Sequence, residues 1–171
     1  MSARLAHRPV PPVRVRVALA RDLDALLELE QRVFATDRLS RRSLRHFLQS
    51  PTAALIVAEG AGGHLAGTAI VLFRPRSALA RLYSIAVAPA MSGRGVAPML
   101  LAKAEAIARR RGCGVIRLEV HVTNHAAIAR YHKQGYQQFG RLRRYYDDGG
   151  DALRFEKPLR TAVPRRDVST R

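Results

Sequence analysis

The sequence predicts an α/β domain built on a mixed sheet. In several short segments apolar residues recur with period two, which is typical of strands, and elsewhere they recur at helical spacing. Clusters of glycine, proline and asparagine separate these segments. The resulting order is a strand, two helices, three strands, a helix, a strand, a helix and a closing pair of strands. This order favours one sheet flanked by helices, in a single domain over residues 13–160.

The first half of the chain supplies four of these segments. Residues 13–18 alternate valine with arginine and predict a strand. Residues 21–34 place several leucines on one side of a helix, and residues 37–51 predict a second helix that Ser40 caps. Residues 53–74 contain two β-rich runs joined by a glycine-rich turn, which predict a hairpin.

The second half of the chain alternates between the two periods. Strands are predicted at residues 79–89 and 114–122, and helices at residues 97–111 and 123–135. Asn124 stands where the last helix begins, and its side chain is a good N-terminal cap. Two further β-rich arms, joined by the turn sequence DDGG, predict a closing hairpin.

The chain is strongly basic. It contains 30 Lys and Arg against 13 Asp and Glu, which gives a formal net charge of +17. Such a charge attracts anions, among them nucleic acids, ribosomes, acidic proteins and phosphorylated cofactors. The arginines are spread over the whole chain and no nucleic-acid-binding motif is recognisable, so contact with nucleic acid is supported by charge alone.

Several features predict a cytoplasmic protein without membrane contact. No apolar run is long enough to span a membrane, and the N-terminus lacks the apolar core of a secretory signal. The one cysteine, Cys113, leaves no partner for an internal disulfide and is interpreted as a small buried thiol. Residues 1–12 are expected to be a flexible arm, and residues 161–171 a flexible basic tail.

The segment SGRGVA at residues 92–97 lies between a predicted strand and a predicted helix. The first turn of a helix has N–H groups without partners, and the helix dipole attracts anions there. Gly93 and Gly95 let the backbone approach a phosphate closely, and Arg94 adds a positive charge. The segment matches neither the nucleoside-triphosphate loop nor the dinucleotide fingerprint. It therefore predicts a diphosphate site without catalytic magnesium, and a purely structural turn is the alternative.

Charged residues share one face of the strand predicted at residues 114–122. Apolar residues occupy the even positions, whereas Arg117, Glu119 and His121 occupy the odd ones. A charge in the middle of a sheet is costly without a partner or a function. Glu119 is therefore a candidate general base, and the alternative is an ion pair with Arg117 or across strands. His121 and His125 are four residues apart, but a helix boundary between them argues against a metal site.

Three segments resemble a known family. The acetyl-CoA-binding motif of the GCN5-related N-acetyltransferases (GNAT) resembles the segment IAVAPAMSGRGVAPMLL. The ribosomal-protein-alanine N-acetyltransferases of that family are similar in the segments RLEVHVTNHAAIARYHKQGY and RRYYDDGGDALRFEKPL. The resemblance covers residues 13–160. It implies the GNAT fold, a mixed and mostly antiparallel sheet of about seven strands with about four helices and a splayed central strand pair.

The resemblance also implies how acetyl-CoA is held. Its diphosphate would bind the loop residues Ser92, Gly93, Arg94, Gly95, Val96 and Ala97. Its pantetheine arm would pair with the strand residues Ile85, Ala86 and Val87. Asn124 would contact the coenzyme as well as cap its helix. No metal is implied.

The remaining implied roles concern the reacting groups. Glu119 would be the general base, and Tyr131 the acid that protonates the departing thiolate. Tyr145 and Tyr146 would flank the groove for the acceptor amine. From the residues alone, Tyr131 is interpreted as a half-buried aromatic packed beside Ile128, and the tyrosine pair as ordinary aromatics at a strand end.

The implied reaction is transfer of acetyl to an amine, with a protein N-terminus, such as that of a ribosomal protein, as the favoured acceptor. An α-amino group has a pKa of about 8 against about 10.4 for lysine, so a single carboxylate deprotonates it more readily. The ribosomal-protein subfamily carries a Pro-Trp pair in the segment matching residues 34–43, and this chain has no tryptophan. A lysine or a small-molecule amine therefore stays open as the acceptor. An alternative of another class is a non-catalytic basic module that binds RNA or the ribosome.

Overall fold

The computed structural model describes residues 12–159, and the strands and helices follow the predicted order. Residues 1–11 of the predicted arm and the whole predicted tail lie outside the described residues. Within residues 12–159 there are seven strands and four α-helices. They are β1 (Arg14–Val17), α1 (Leu23–Val33), α2 (Arg41–Gln49), β2 (Ala53–Glu59), β3 (Leu65–Phe73), β4 (Leu79–Val87), α3 (Val96–Arg110), β5 (Val115–His121), α4 (His125–Lys133), β6 (Gln137–Leu142) and β7 (Ala152–Pro158).

The strands form one sheet in the order β1-β2-β3-β4-β5-β7-β6. The pairs β1–β2, β2–β3, β5–β7 and β6–β7 are antiparallel. Strands β4 and β5 are parallel, and their register places Leu79–Arg81 beside Val115–Arg117. The predicted mixed, mostly antiparallel sheet is therefore confirmed. The splay expected beyond this short register stays a prediction.

The described chain divides into two compact units. The first contains the described part of Met1–Leu72 together with Tyr83–Ala104, and the second contains Phe73–Leu82 together with the described part of Glu105–Arg171. Each unit contains different candidate site residues. The glycine loop belongs to the first, and Glu119 and the candidate tyrosines belong to the second.

In the first unit, leucines of α1 and α2 pack into a cluster with residues of β2 and β3. Strand β2 is buried on both faces along most of its length, so it has a continuous apolar sequence rather than an alternating one. The side chain of Ser40 accepts a hydrogen bond from the N–H of Ser43, which confirms the predicted cap of α2. The cluster consists of Ala18, Leu26, Leu29, Leu44, Leu55, Val57, Leu65, Ile70 and Ala88.

Gly67 in β3 allows an unusually close approach of other backbone and side-chain atoms. A Cβ atom at this position would lie 2.7 Å from the carbonyl oxygen of Ala86 in β4. It would also lie 3.0 Å from Leu100 and 3.1 Å from Val96, both in α3. Because such distances leave no room for a side chain, glycine is required where β3 passes beneath the end of β4 and the start of α3. This contact positions the loop that joins those two elements.

In the second unit, β5 has the alternation predicted from its sequence. Ile116, Leu118 and Val120 are buried, whereas the odd-numbered residues are partly exposed. On the buried side, Glu105 of α3 is itself buried and accepts hydrogen bonds from Lys157 Nζ at 2.9 and 3.0 Å. These bonds compensate for the desolvation of that carboxylate. Cys113 is 2% exposed, so the prediction of a buried thiol is confirmed.

Among residues 12–159, no helix combines the length and the apolar composition needed to cross a bilayer.

Candidate active site

The loop before α3 has the glycine-dependent backbone that its sequence predicts. Pro89–Met91 form a single 3-10 turn, and α3 begins at Val96. Between them, Gly93 has φ 72° and Gly95 has φ 78°, in the left-handed region that side chains disfavour. No atom lies within 4 Å of a Cβ built on either glycine, so both face open space.

The N–H groups of this loop are partly free. Those of Ser92 and Arg94 bond to the carbonyls of the preceding turn, at 3.2 and 3.3 Å. Among the described residues, four neighbouring N–H groups form no backbone hydrogen bond, and they are those of Gly93, Gly95, Val96 and Ala97. Binding of a diphosphate by the six residues from Ser92 to Ala97 stays a prediction. Four unpartnered donors at a helix N-terminus fit an anionic group such as a diphosphate.

The strand segment expected to face the pantetheine arm lies at the end of β4. Ala86 is buried, whereas Ile85 and Val87 are partly buried. The N–H of Ala88, the residue after the strand, bonds to the carbonyl of Ala66 in β3 at 2.8 Å. Pairing of this segment with the coenzyme stays a prediction.

Glu119 lies on the partly exposed face of β5, with 11% of its side chain exposed. Its Oε2 atom accepts a hydrogen bond from Arg81 Nε at 2.9 Å. Its Oε1 atom lies 3.7 Å from Arg154 Nε, which is too long for a hydrogen bond. The cross-strand ion pair expected as the alternative to a base is therefore present. Arg117 is not its partner, because the Nε of Arg117 bonds to Glu156 at 2.9 Å.

The tyrosines expected near the acceptor lie next to this ion pair. Arg81 donates a second hydrogen bond to the hydroxyl of Tyr145, at 2.7 Å. The rings of Tyr145 and Tyr146 meet edge to face, with their centroids 5.1 Å apart. Desolvation raises the pKa of Tyr146 to about 12, and Tyr145, Glu119 and Tyr131 add to the effect. The structure thus brings Glu119, Tyr145 and Tyr146 together around Arg81.

Tyr131 lies in α4 and is 4% exposed. Its ring packs edge to face against Tyr136 at 5.6 Å and near Phe155 at 6.1 Å. It is therefore a core aromatic, and more buried than the sequence predicts. Burial raises the pKa of its hydroxyl to about 12, an effect that Arg130 partly offsets. A phenol with this pKa keeps its proton at neutral and moderately alkaline pH.

Asn124 and His121 flank the start of α4. The Oδ1 atom of Asn124 accepts the N–H of Ala127 at 3.2 Å, which confirms its predicted role as a cap. The imidazole of His121 is held between Thr123 and Asp148, with Nε2 at 3.1 Å from Asp148 Oδ2. These bonds give His121 a structural role in holding the closing hairpin. In the part of the chain that the structure describes, no group of three or more His, Cys, Asp and Glu could hold a metal ion.

Two arginines beside Glu119 were not predicted from the sequence. Arg81 belongs to β4 and Arg154 to β7, where it pairs directly opposite Glu119. The sequence does contain a signal for Arg81, because it is the one charged residue in the strand sequence LARLYSIAV. The same argument that singles out Glu119 applies to it. Only the strand order could show that the two residues meet.

Comparisons with known proteins identify the family of the chain. The model of the acetyltransferase (GNAT) family matches residues 22–136. The chain is similar to the N-alpha-acetyltransferase RimI of Mycobacterium tuberculosis, with 34% identity over 145 residues that cover 82% of this chain and 89% of the relative. It is similar to the streptothricin acetyltransferase of Streptomyces lavendulae, with 35% identity over 108 residues that cover 63% and 56%. The crystal structure of the ribosomal-protein-S18-alanine N-acetyltransferase from Escherichia coli superposes with a TM-score of 0.78 and 27% identity, covering 90% of this chain and 98% of that one.

The burial of Tyr131 predicts its titration. With tyrosines labelled at 13Cζ, we expect the NMR resonance that Tyr131→Phe removes to show no change as the pH passes about 10, where an exposed tyrosine ionises. Its change should begin only as the pH approaches about 12, because desolvation disfavours the phenolate. A midpoint near the ordinary value would mean that the hydroxyl is solvated.

Proposed function

Because the chain belongs to the GNAT acetyltransferase family, we propose that the amine it acetylates is the α-amino group of a protein N-terminus. GNAT enzymes use acetyl-CoA, and the family supports an N-acetyltransferase rather than the non-catalytic module considered above. The observation that carries the proposal is Glu119, a largely buried carboxylate with one oxygen committed to Arg81. Among the described residues the other oxygen accepts no hydrogen bond.

The glycine loop is the proposed site for the diphosphate of acetyl-CoA. The N–H groups of Gly93, Gly95, Val96 and Ala97 would bind its oxygens, and the positive charge of the Arg94 side chain would add attraction. The backbone of Ile85–Val87 would pair with the pantetheine arm, and the Asn124 side chain would contact the coenzyme. The acetyl thioester supplies an activated carbonyl carbon.

The proposed base is Glu119. Its Oε1 atom accepts a proton from the acceptor ammonium, and the neutral nitrogen then forms a bond to the carbonyl carbon. An α-ammonium group, with a pKa of about 8, loses this proton far more readily than a lysine with a pKa of about 10.4. A carboxylate flanked by arginines is therefore better suited to an N-terminus than to a lysine.

The proposed partner of the leaving group is Tyr131. The C–S bond breaks as the amide forms, and the hydroxyl of Tyr131 donates a hydrogen bond to the developing thiolate. Because the pKa of Tyr131 is about 12, above the value of about 8.5 for a thiol, it stabilises the thiolate rather than transferring its proton outright. The nitrogen loses two protons in all: the one that Glu119 accepts passes to solvent, and the second neutralises the sulfur, so the reaction releases one proton.

A second candidate acceptor is a small-molecule amine. It is favoured by the similarity of the chain to streptothricin acetyltransferase. The absence of tryptophan from the chain also departs from the ribosomal-protein subfamily.

The diphosphate site is tested with two matched glycines. Gly95 and Gly112 have φ of 78° and 80°, and no atom lies within 4 Å of a Cβ at either. Changing either to alanine should therefore cost a similar backbone strain of about 1–2 kcal/mol. By calorimetry we expect only Gly95→Ala to weaken acetyl-CoA binding, by about tenfold, because it disturbs the amide donors. Equal affinities for the two variants would place the diphosphate elsewhere.

The acceptor is tested by competition. We expect mass spectrometry to show that a peptide with a free α-amino group is acetylated in preference to the same peptide with a blocked N-terminus and one lysine, and to streptothricin. The preference should grow as the pH falls toward neutral, because the lysine becomes harder to deprotonate. Preferential acetylation of streptothricin would contradict the proposal and support the second candidate.

A further inference from the structure

We propose that Arg81 is a positioning residue that holds Glu119 by one oxygen and couples it to Tyr145. This inference rests on the proposed function, in which Glu119 is the base. The Nε atom of Arg81 donates to Glu119 Oε2 at 2.9 Å, and one terminal nitrogen donates to the hydroxyl of Tyr145 at 2.7 Å. A single guanidinium thus fixes both the carboxylate and a tyrosine of the proposed acceptor groove.

The register of the sheet explains how Arg81 reaches Glu119. Arg81 in β4 pairs with Arg117 in the parallel strand β5, and Glu119 is two residues further along the same face. Arg117 bonds instead to Glu156, directly opposite it in β7. Each carboxylate on this face therefore has its own arginine, and the two ion pairs have the same Nε–Oε2 distance of 2.9 Å.

The other arginine near Glu119 does not hold it in the same way. The Nε atom of Arg154 is buried, forms no hydrogen bond and lies 3.7 Å from Glu119 Oε1. Its guanidinium lies over the ring of Phe139, 4.7 Å from the centroid. Arg154 therefore supplies positive charge beside Oε1 without occupying it. Arg81 fixes the carboxylate and leaves Oε1 for the proton of the amine.

The contact with Tyr145 extends this arrangement to the surface. Tyr145 is 41% exposed, whereas the Glu119 side chain is 11% exposed. Arg81 bonds to both the buried Glu119 and the exposed Tyr145, because its planar guanidinium has several N–H donors in fixed directions. Contact between an acceptor peptide and Tyr145 would therefore change the position of the base through one side chain. A lysine would retain the charge but could not reproduce both bonds with the same geometry.

A purely structural ion pair would behave differently. Arg81 has 41% of its side chain exposed but Glu119 only 11%, so removing the arginine leaves a mostly buried carboxylate without its hydrogen bond and also lowers stability. A base that is misplaced by about 1 Å, however, can lower a rate by about a hundredfold. A positioning role and a purely structural role can therefore be distinguished by measuring kcat and the thermal midpoint of the same variants.

The test compares Arg81→Gln, Arg81→Lys and Tyr145→Phe, with the double variant Arg81→Gln/Tyr145→Phe. We expect Arg81→Gln to lower kcat by about tenfold or more, with the acetyl-CoA dissociation constant unchanged. Arg81→Lys should have a kcat between those of Arg81→Gln and the unchanged protein, because lysine keeps the positive charge but lacks the planar set of donors. Tyr145→Phe should lower kcat in the otherwise unchanged protein but add nothing to Arg81→Gln, because the two effects share one contact.

Arg117→Gln is the matched control, because it removes an ion pair of the same length on the same face of β5. We expect its kcat to equal that of the unchanged protein, and its thermal midpoint to fall less than that of Arg81→Gln, because the Glu156 side chain is 32% exposed and that of Glu119 is 11% exposed. If both arginine variants lower kcat in proportion to lost stability, the positioning role is overturned. Additive effects of Arg81→Gln and Tyr145→Phe would overturn the coupling.

Glu119→Gln separates this inference from the proposed function. If Glu119→Gln lowers kcat by about a hundredfold while Arg81→Gln leaves it unchanged, the base stands and the positioning role fails. If Glu119→Gln retains the full rate, the proposed base fails, and the inference fails with it.

Discussion

A carboxylate that is mostly buried in a sheet must be paired, and Glu119 imposes this constraint on its surroundings. Strand β5 has to bury Ile116, Leu118 and Val120 on one face, so its odd-numbered side chains project to the other. Two arginines of the neighbouring strands, Arg81 of β4 and Arg154 of β7, lie beside the Glu119 carboxylate. The arrangement of charges on this face follows from the alternation of a single strand.

The pairing leaves the two oxygens of Glu119 unequal. One is fixed by a short hydrogen bond, whereas the other has a guanidinium near it at a longer distance. Such an asymmetry is what a proton acceptor in a fixed orientation requires, because a freely rotating carboxylate loses part of its effectiveness. The N–H groups of the glycine loop are also unequal, since two bond to carbonyls of the preceding turn and, among the described residues, four form no backbone hydrogen bond.

Local patterns allow much of this to be predicted from the sequence. The order of strands and helices, the caps Ser40 and Asn124, and the charged face around Glu119 all depend on residues close together in the chain. The partners of Glu119 do not, because Arg81 is 38 residues away and meets it only through the strand order.

The sequence also could not show which N–H groups of the glycine loop are bonded and which are not. That depends on which carbonyl oxygens of the 3-10 turn lie within hydrogen-bond distance of them. The depth at which Tyr131 lies results from the packing of α4 on Tyr136 and Phe155, which no periodicity specifies.

The role of Glu119 depends on whether it accepts a proton from an α-amine through the oxygen that Arg81 does not hold. A crystal structure with a conjugate of coenzyme A and the α-nitrogen of a short peptide would locate that nitrogen. We expect it within hydrogen-bond reach of Glu119 Oε1, directly or through one water, while Arg81 still binds Oε2. If the nitrogen lies beside a different titratable side chain, and Glu119 contacts only its arginines, Glu119 is not the base.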